Sequence, residues 1–266
     1  MFRYSDLYQK LRGMRRFMKL MVFLPLIFSL SCVSDSRQKY LSPADLLSKA
    51  QIKLEKNKTD DAILLLEQLI YNYPGYEERE LAGYLIVKAY YENKDHVMTL
   101  AEGRDYVRDY PSNELADHVQ YMLADALYRQ SPGYALDQST TRDAVVEFQT
   151  LIQLYPESEW IPKVEEKLAK CIDKLAKKEY LNGTFYKRMG MYAPSEVYFK
   201  TVIAAYPDSE WADDSLFALG EAYMKQKALG DASDTFNKLT RAYPDSKWTS
   251  QAEEYLADIE NWNAKD

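Results

Sequence analysis

Histidine, cysteine and glycine are scarce in this chain, and each shortage closes off a kind of chemistry. Of 266 residues, two are histidine, two cysteine and nine glycine. His96 and His118 fall in separate helical stretches with no cysteine at metal-ligand spacing, so no metal site is expected. No glycine-rich loop follows a strand, and no strand is convincing anywhere, which removes the phosphate-cradling nucleotide folds. The adjacent carboxylates Glu77-Glu78 and Glu165-Glu166 read as solvated helix faces, not acid–base pairs. The expectation is a non-enzyme with no catalytic residue and no cofactor. Long hydrophobic runs are missing too. The apolar run from Leu20 to Phe28 falls well short of the roughly 20 residues a spanning helix needs.

Tyrosine is abundant, at 23 residues, and five tyrosines precede a proline. The pairs are Tyr73-Pro74, Tyr110-Pro111, Tyr155-Pro156, Tyr206-Pro207 and Tyr243-Pro244, with prolines 37, 45, 51 and 37 residues apart. Proline cannot continue a helix and pushes the residue before it out of the α region, so each pair marks a helix end. A terminator recurring at this interval predicts an array of helical hairpins.

The last unit shows the pattern best: Leu216, Leu219-Gly220, Tyr223, Ala232, Phe236, Leu239 and Pro244, as in a 34-residue tetratricopeptide repeat. Gly220 and Ala232 are the small residues expected where two helices come closest. Earlier units keep the slots less fully: Ala50, Ala62, Leu66 and Leu69; Ala144, Phe148 and Leu151; Ser195, Phe199 and Val202. The unit ending at Pro111 departs most, with Thr99 at the small-residue slot and Gly103 at a large apolar one. Ser158, Ser209 and Ser246 are expected N-caps. Trp160, Trp211 and Trp248 are expected to pack between repeats, with binding as the alternative. The 45-residue interval predicts an extended loop over Ser131–Gln138. The 51-residue interval is 14 over 37, close to four turns, and predicts a long helix from Ser158 to Arg188. The fold expected is all-α: a tetratricopeptide-like helical-hairpin solenoid of about five repeats with a C-terminal cap helix from Lys247 to Asn261.

The N-terminus reads as a targeting segment. Arg12, Arg15, Arg16 and Lys19 precede the apolar run, which ends in Ser29-Leu30-Ser31-Cys32. This resembles the lipobox of bacterial lipoproteins, where the signal is cut and the new N-terminal cysteine is acylated. Ser29 stands where leucine is usual. An ordinary secretory signal with an incidental cysteine is the alternative, and Met14 is an alternative start. Val33, not aspartate, follows Cys32, which in Gram-negative lipoproteins points to the outer membrane. The expected organisation is a signal over residues 1–31, a tether over 32–43 and a repeat domain over 44–263. That domain divides into halves of about 44–130 and 141–263. Residues 1–31 carry net +5, and taking that from the whole-chain −7 leaves −12, a surface unsuited to nucleic acid. Cys171 is expected to be a buried free thiol.

Several segments resemble the BamD (ComL) family, the lipoprotein component of the outer-membrane β-barrel assembly machinery. They are Asp137-Gln138 with Thr141-Arg142-Asp143-Ala144, then Leu175-Ala176-Lys177-Lys178-Glu179-Tyr180, Phe185-Tyr186, Gly190 and Tyr192, together with Ala89-Tyr90-Tyr91. The resemblance covers about residues 44–250. It implies a scaffold held by Cys32 to the periplasmic face of the outer membrane. The C-terminal repeats would dock on the periplasmic domains of the central barrel-assembly protein, and the N-terminal repeats would receive unfolded barrel substrates. From helix faces, Tyr84, Tyr90 and Tyr91, with Lys53 and Lys88 nearby, are the residues expected to line a peptide groove; packing of the second hairpin is the alternative. A repeat lipoprotein coordinating peptidoglycan or envelope processes is the second functional reading, and a lipid-anchored envelope enzyme the third.

Overall fold

The structure, a computed structural model, describes residues 41–263. The signal segment, Cys32 and most of the tether therefore lie outside the described residues. The chain falls into two units, Met1–Asp45 and Leu46–Asp266. In the first, Ser42 Oγ accepts from the Asp45 amide at 3.1 Å and donates to the Asp45 carboxylate at 2.8 Å, capping the first helical turn.

The described residues form eleven α-helices and no strand. They are α1 (Pro43–Glu55), α2 (Thr59–Asn72), α3 (Arg79–Glu92), α4 (His96–Asp109), α5 (Ala116–Gln130), α6 (Ser139–Leu154), α7 (Ile161–Arg188), α8 (Tyr192–Ala205), α9 (Ala212–Gln226), α10 (Leu229–Ala242) and α11 (Thr249–Asn263). Helices α2, α4, α6, α8 and α10 all end on the residue before a Tyr-Pro pair. Each of the five tyrosines adopts φ between −130° and −136° and ψ between 52° and 65°. Its amide still donates to the carbonyl four residues back, at 2.8–2.9 Å. Two of these tyrosines also tie repeats together. Tyr155 Oη donates to the Pro111 carbonyl at 3.0 Å, and Tyr243 Oη to that of Pro207 at 2.6 Å.

The second unit is a row of hairpins. From α2 onward each helix packs on the next, and the first helices α3, α5, α7 and α9 also touch in order. Phe148, Phe199 and Phe236 repeat at equivalent places in the second helices and are fully buried. Glycine makes room for two of them. A Cβ on Gly220 would lie 2.6 Å from Phe236 Cζ, and one on Gly183 would lie 2.7 Å from Phe199 Cε1. The irregular second hairpin follows the same logic. A Cβ on Gly103 would lie 2.6 Å from Leu123 Cδ2, so the missing large side chain is supplied by α5 of the next hairpin.

The serines do not start helices. α7, α9 and α11 begin three residues beyond Ser158, Ser209 and Ser246. Two successive reverse turns intervene, Ser158 N to Tyr155 O (3.0 Å) and Ile161 N to Ser158 O (3.2 Å) in the first case. Ser158 and Ser246 accept from the amides of Trp160 and Trp248 at 3.2 Å. They donate to Asp117 and Asp213 at 2.6 Å, reaching back to the preceding first helix. Ser209 donates to the Tyr206 carbonyl instead.

The tryptophans do pack between repeats. Trp160 stacks on Tyr121, Trp211 leans on Tyr180 and Trp248 stacks on Phe217, with ring centroids 4.5, 5.1 and 4.3 Å apart.

Helix α7 has 28 residues, and it begins at Ile161 because the double turn consumes Ser158 to Trp160. Val164 and Cys171 on its first half join the core around Phe148. Tyr180 and Gly183 on its second half lie against Phe199. The loop over residues 131–138 packs on the middle of this helix. Lys174 Nζ donates to Ser131 Oγ at 2.5 Å and Lys178 Nζ to the Leu136 carbonyl at 2.7 Å. Gln138, fully buried, donates to the carbonyls of Gly133 (2.8 Å) and Leu136 (3.2 Å) and accepts from Thr141 Oγ1 (2.7 Å). The two insertions thus satisfy each other's polar groups.

Candidate interaction face

Helices α3, α5 and α7 bring polar and aromatic side chains to one seam. Tyr84 and Tyr91 are seven residues apart, two turns, and so share a side of α3. His118 and Asp125 are seven apart on α5, with Tyr121 between them. The Tyr84 hydroxyl and His118 Nδ1 share a hydrogen bond of 2.8 Å, and the imidazole stacks on Trp160 at 4.3 Å. Burial holds His118 below its ordinary pKa, with Lys88 and Lys163 adding to the effect and Asp117 and Glu159 opposing it.

At the other end of the seam, the Asp125 side chain is 1% exposed. It accepts from Tyr91 Oη (2.6 Å), Arg129 Nε (2.5 Å) and Lys167 Nζ. Burial pushes its carboxyl up, but these donors outweigh burial and the net shift is downward. Lys167 also donates to Tyr121 Oη at 2.7 Å and lies over the Tyr121 ring at 4.9 Å. Burial drives the Tyr91 phenol upward, helped by its bond to Asp125. One carboxylate thus ties three first helices together.

The five residues expected to line a groove do not come together. Tyr84 is buried at 8% exposure and Tyr91 is half-buried, both with hydroxyls committed to α5. Lys88 lies between them on the same side of α3, 3.8 Å from Glu92. Tyr90 points elsewhere: burial first, then Glu67 of α2 and Glu102 of α4, raise its phenol pKa. Lys53 on α1 pairs with Asp61 of α2 at 2.7 Å. Sequence reasoning had not singled out Asp125, Arg129 or Lys167, and it placed Gln138 only as a loop end and a resemblance residue. The signal for Asp125 was available: a lone acid within the apolar run Tyr121–Leu127, four residues before an arginine.

Further along α7, Lys177 Nζ lies over the rings of Tyr134 (4.7 Å) and Trp211 (5.2 Å). Lys187 bonds Glu221 of α9 at 2.5 Å. Around it, Phe185 on the last turns of α7 and Met189 and Met191 in the α7–α8 turn are exposed. Among the described residues no three His, Cys, Asp or Glu side chains converge where they could hold a metal ion, and no helix is long and apolar enough to cross a membrane.

Residues 39–233 match the protein family described as YfiO, outer membrane lipoprotein. An outer membrane protein assembly factor BamD from Vibrio cholerae is 27% identical over 242 residues, which are 87% of this chain and 97% of that protein. The protein of the same name from Caulobacter vibrioides is 24% identical over 183 residues, 68% of this chain, and the match spans 60% of its length. Among solved structures, a TPR-repeat protein from Bacteroides fragilis overlaps 83% of this chain and 99% of its own. The TM-score is 0.46 at 12% identity.

Proposed function

The chain belongs to the YfiO family of outer-membrane lipoproteins, and from that membership we propose that it serves outer-membrane β-barrel assembly as a lipid-anchored, non-enzymatic scaffold. The observation that carries this reading is the family match across residues 39–233, together with relatives each named an outer membrane protein assembly factor. The anchor is Cys32, on the periplasmic face of the outer membrane. A basic segment, a short apolar run and small residues before the cysteine support it. Each acyl methylene buried in the leaflet contributes about 0.8 kcal/mol, so a multiply acylated cysteine holds the chain firmly.

Two partners are proposed: the central barrel-assembly protein, bound through its periplasmic domains on the C-terminal hairpins, and unfolded barrel substrates on the N-terminal ones. For the substrate surface, Lys88 and the exposed edge of Tyr91 remain on one side of α3, with Tyr84 buried beneath them. Tyr90 and Lys53 lie away from it. The test is affinity purification of the mature lipoprotein from detergent-solubilised envelopes, with co-purifying chains identified by mass spectrometry. A stoichiometric outer-membrane barrel with tandem periplasmic domains is expected. Recovery of peptidoglycan-synthesis or division proteins without such a barrel would overturn the assembly role. A Cys32→Ser chain should leave the membrane fraction; if it stays, Cys32 is not the anchor.

A further inference from the structure

Along α7 the lysines Lys163, Lys167, Lys170, Lys174 and Lys177 recur at spacings of four and three. At about 100° per residue they fall within an arc of roughly 80°, a single stripe. Two of them are neutralised, Lys167 by Asp125 and Lys170 by Glu166 at 2.5 Å. Lys163, Lys174 and Lys177 have no carboxylate within 4.0 Å among the described residues. Their partners are neutral: the Trp160 ring at 4.5 Å, Ser131 Oγ, and the rings of Tyr134 and Trp211. Other lysines also lack a carboxylate, Lys178 among them, but these three share one stripe of one helix and lie against rings and a hydroxyl.

We propose that this stripe is a docking track for an extended acidic segment of a partner protein, its carboxylates meeting Lys163, Lys174 and Lys177. Its apolar side chains would lie on Trp160, Tyr134 and Trp211. The three rings are only partly covered, so both kinds of contact are open. Fourteen residues of helix span about 21 Å, which is the reach of about six residues of extended chain. Trp160 lies at the Lys163 end of the row and Tyr134 and Trp211 at the Lys177 end, so the row matches an extended acidic segment that carries an apolar side chain at each end. A nucleic-acid duplex needs a broad positive surface, which this acidic chain lacks. The inference rests on the scaffold reading only in taking the occupant to be a polypeptide.

The test uses the full lipoprotein in detergent and a fluorescein-labelled, end-blocked peptide of six residues, four aspartates flanked by two phenylalanines, read by fluorescence anisotropy. Binding is expected, weakening as salt rises. It should fall about tenfold in the Lys163→Glu/Lys174→Glu/Lys177→Glu variant and stay near wild type when the same lysines become arginine. Should the glutamate variant lose its circular-dichroism signal, the glutamine triple replaces it, with a smaller loss expected. Three results would overturn the proposal: no wild-type binding up to about 1 mM, equal binding of a lysine–phenylalanine peptide, or undiminished binding by a folded triple variant. Because the readout is a defined peptide in vitro, its failure leaves the assembly role standing, and loss of the assembly role leaves the track standing.

Discussion

Replacing Asp125 with alanine should be among the costliest single changes on the α3–α5–α7 seam. The carboxylate is 1% exposed and receives Tyr91, Arg129 and Lys167. Removing one partner of a buried pair costs about 3–5 kcal/mol. Arg129, 46% exposed, can turn into water and adds little. Lys167, 20% exposed, cannot, although it keeps the Tyr121 hydroxyl. The expected loss is therefore about 3 kcal/mol, near the low end of that range. It corresponds to a Tm lower by about 6–12 °C for a domain of this size. Urea unfolding followed by circular dichroism measures it directly. The Asp125→Ala/Lys167→Met chain removes the stranded ammonium as well and should recover about half of the loss. The pH dependence has a definite sign. The folded carboxyl titrates below its unfolded value of about 3.9. Its stabilisation is therefore present above that value and disappears as pH falls through the folded one. Wild type and Asp125→Ala should converge in strong acid. A single-variant loss under about 1 kcal/mol, or a double variant no more stable than the single, would refute the clamp.

The same substitution should have opposite signs at two glycines. Gly220→Ala drives a Cβ into the buried Phe236 ring and should cost about 1–3 kcal/mol, whereas Gly230→Ala, with open space around it, should gain about 0.5 kcal/mol by thermal unfolding. Gln138→Ala removes three hydrogen bonds beneath the loop, although Leu136 N still serves the Gly133 carbonyl, Lys178 Nζ that of Leu136 and Ser131 Oγ the Thr141 hydroxyl. It should cost about 2 kcal/mol and speed amide exchange in residues 131–138, with Gln138→Glu no better because a carboxylate cannot donate. The Cys171 thiol, buried and pushed up to about 11, should resist a thiol reagent at about pH 8 in a folded Cys32→Ser chain. It should react fully in denaturant.

Helix ends were legible because the sterics of proline and of the residue before it are local, and all five Tyr-Pro pairs stop helices where expected. The serine caps were misplaced because the turn after each proline doubles before the helix begins, and Ser158 and Ser246 answer to aspartates 41 and 33 residues earlier. The extra length of α7 could be read from spacing alone. Its contact with the loop over 131–138 could not, since it depends on Lys174 and Lys178 meeting a serine hydroxyl and a backbone carbonyl. The expected groove dispersed for a similar reason. That Tyr84 and Tyr91 share a side of α3 follows from their spacing, but their hydroxyl partners, His118 and Asp125, lie 34 residues away.

The bracing of the loop by α7 bears on heredity. A chain that gained the loop alone would present Ser131 and the Leu136 carbonyl to no lysine. A chain that gained only the longer helix would leave Lys174 and Lys178 without those acceptors. Each insertion supplies partners to the other, so the two irregular intervals in the proline spacing form one set of contacts. Among related chains the lengths of the two segments should change together, and a lineage that has shortened one should have shortened the other.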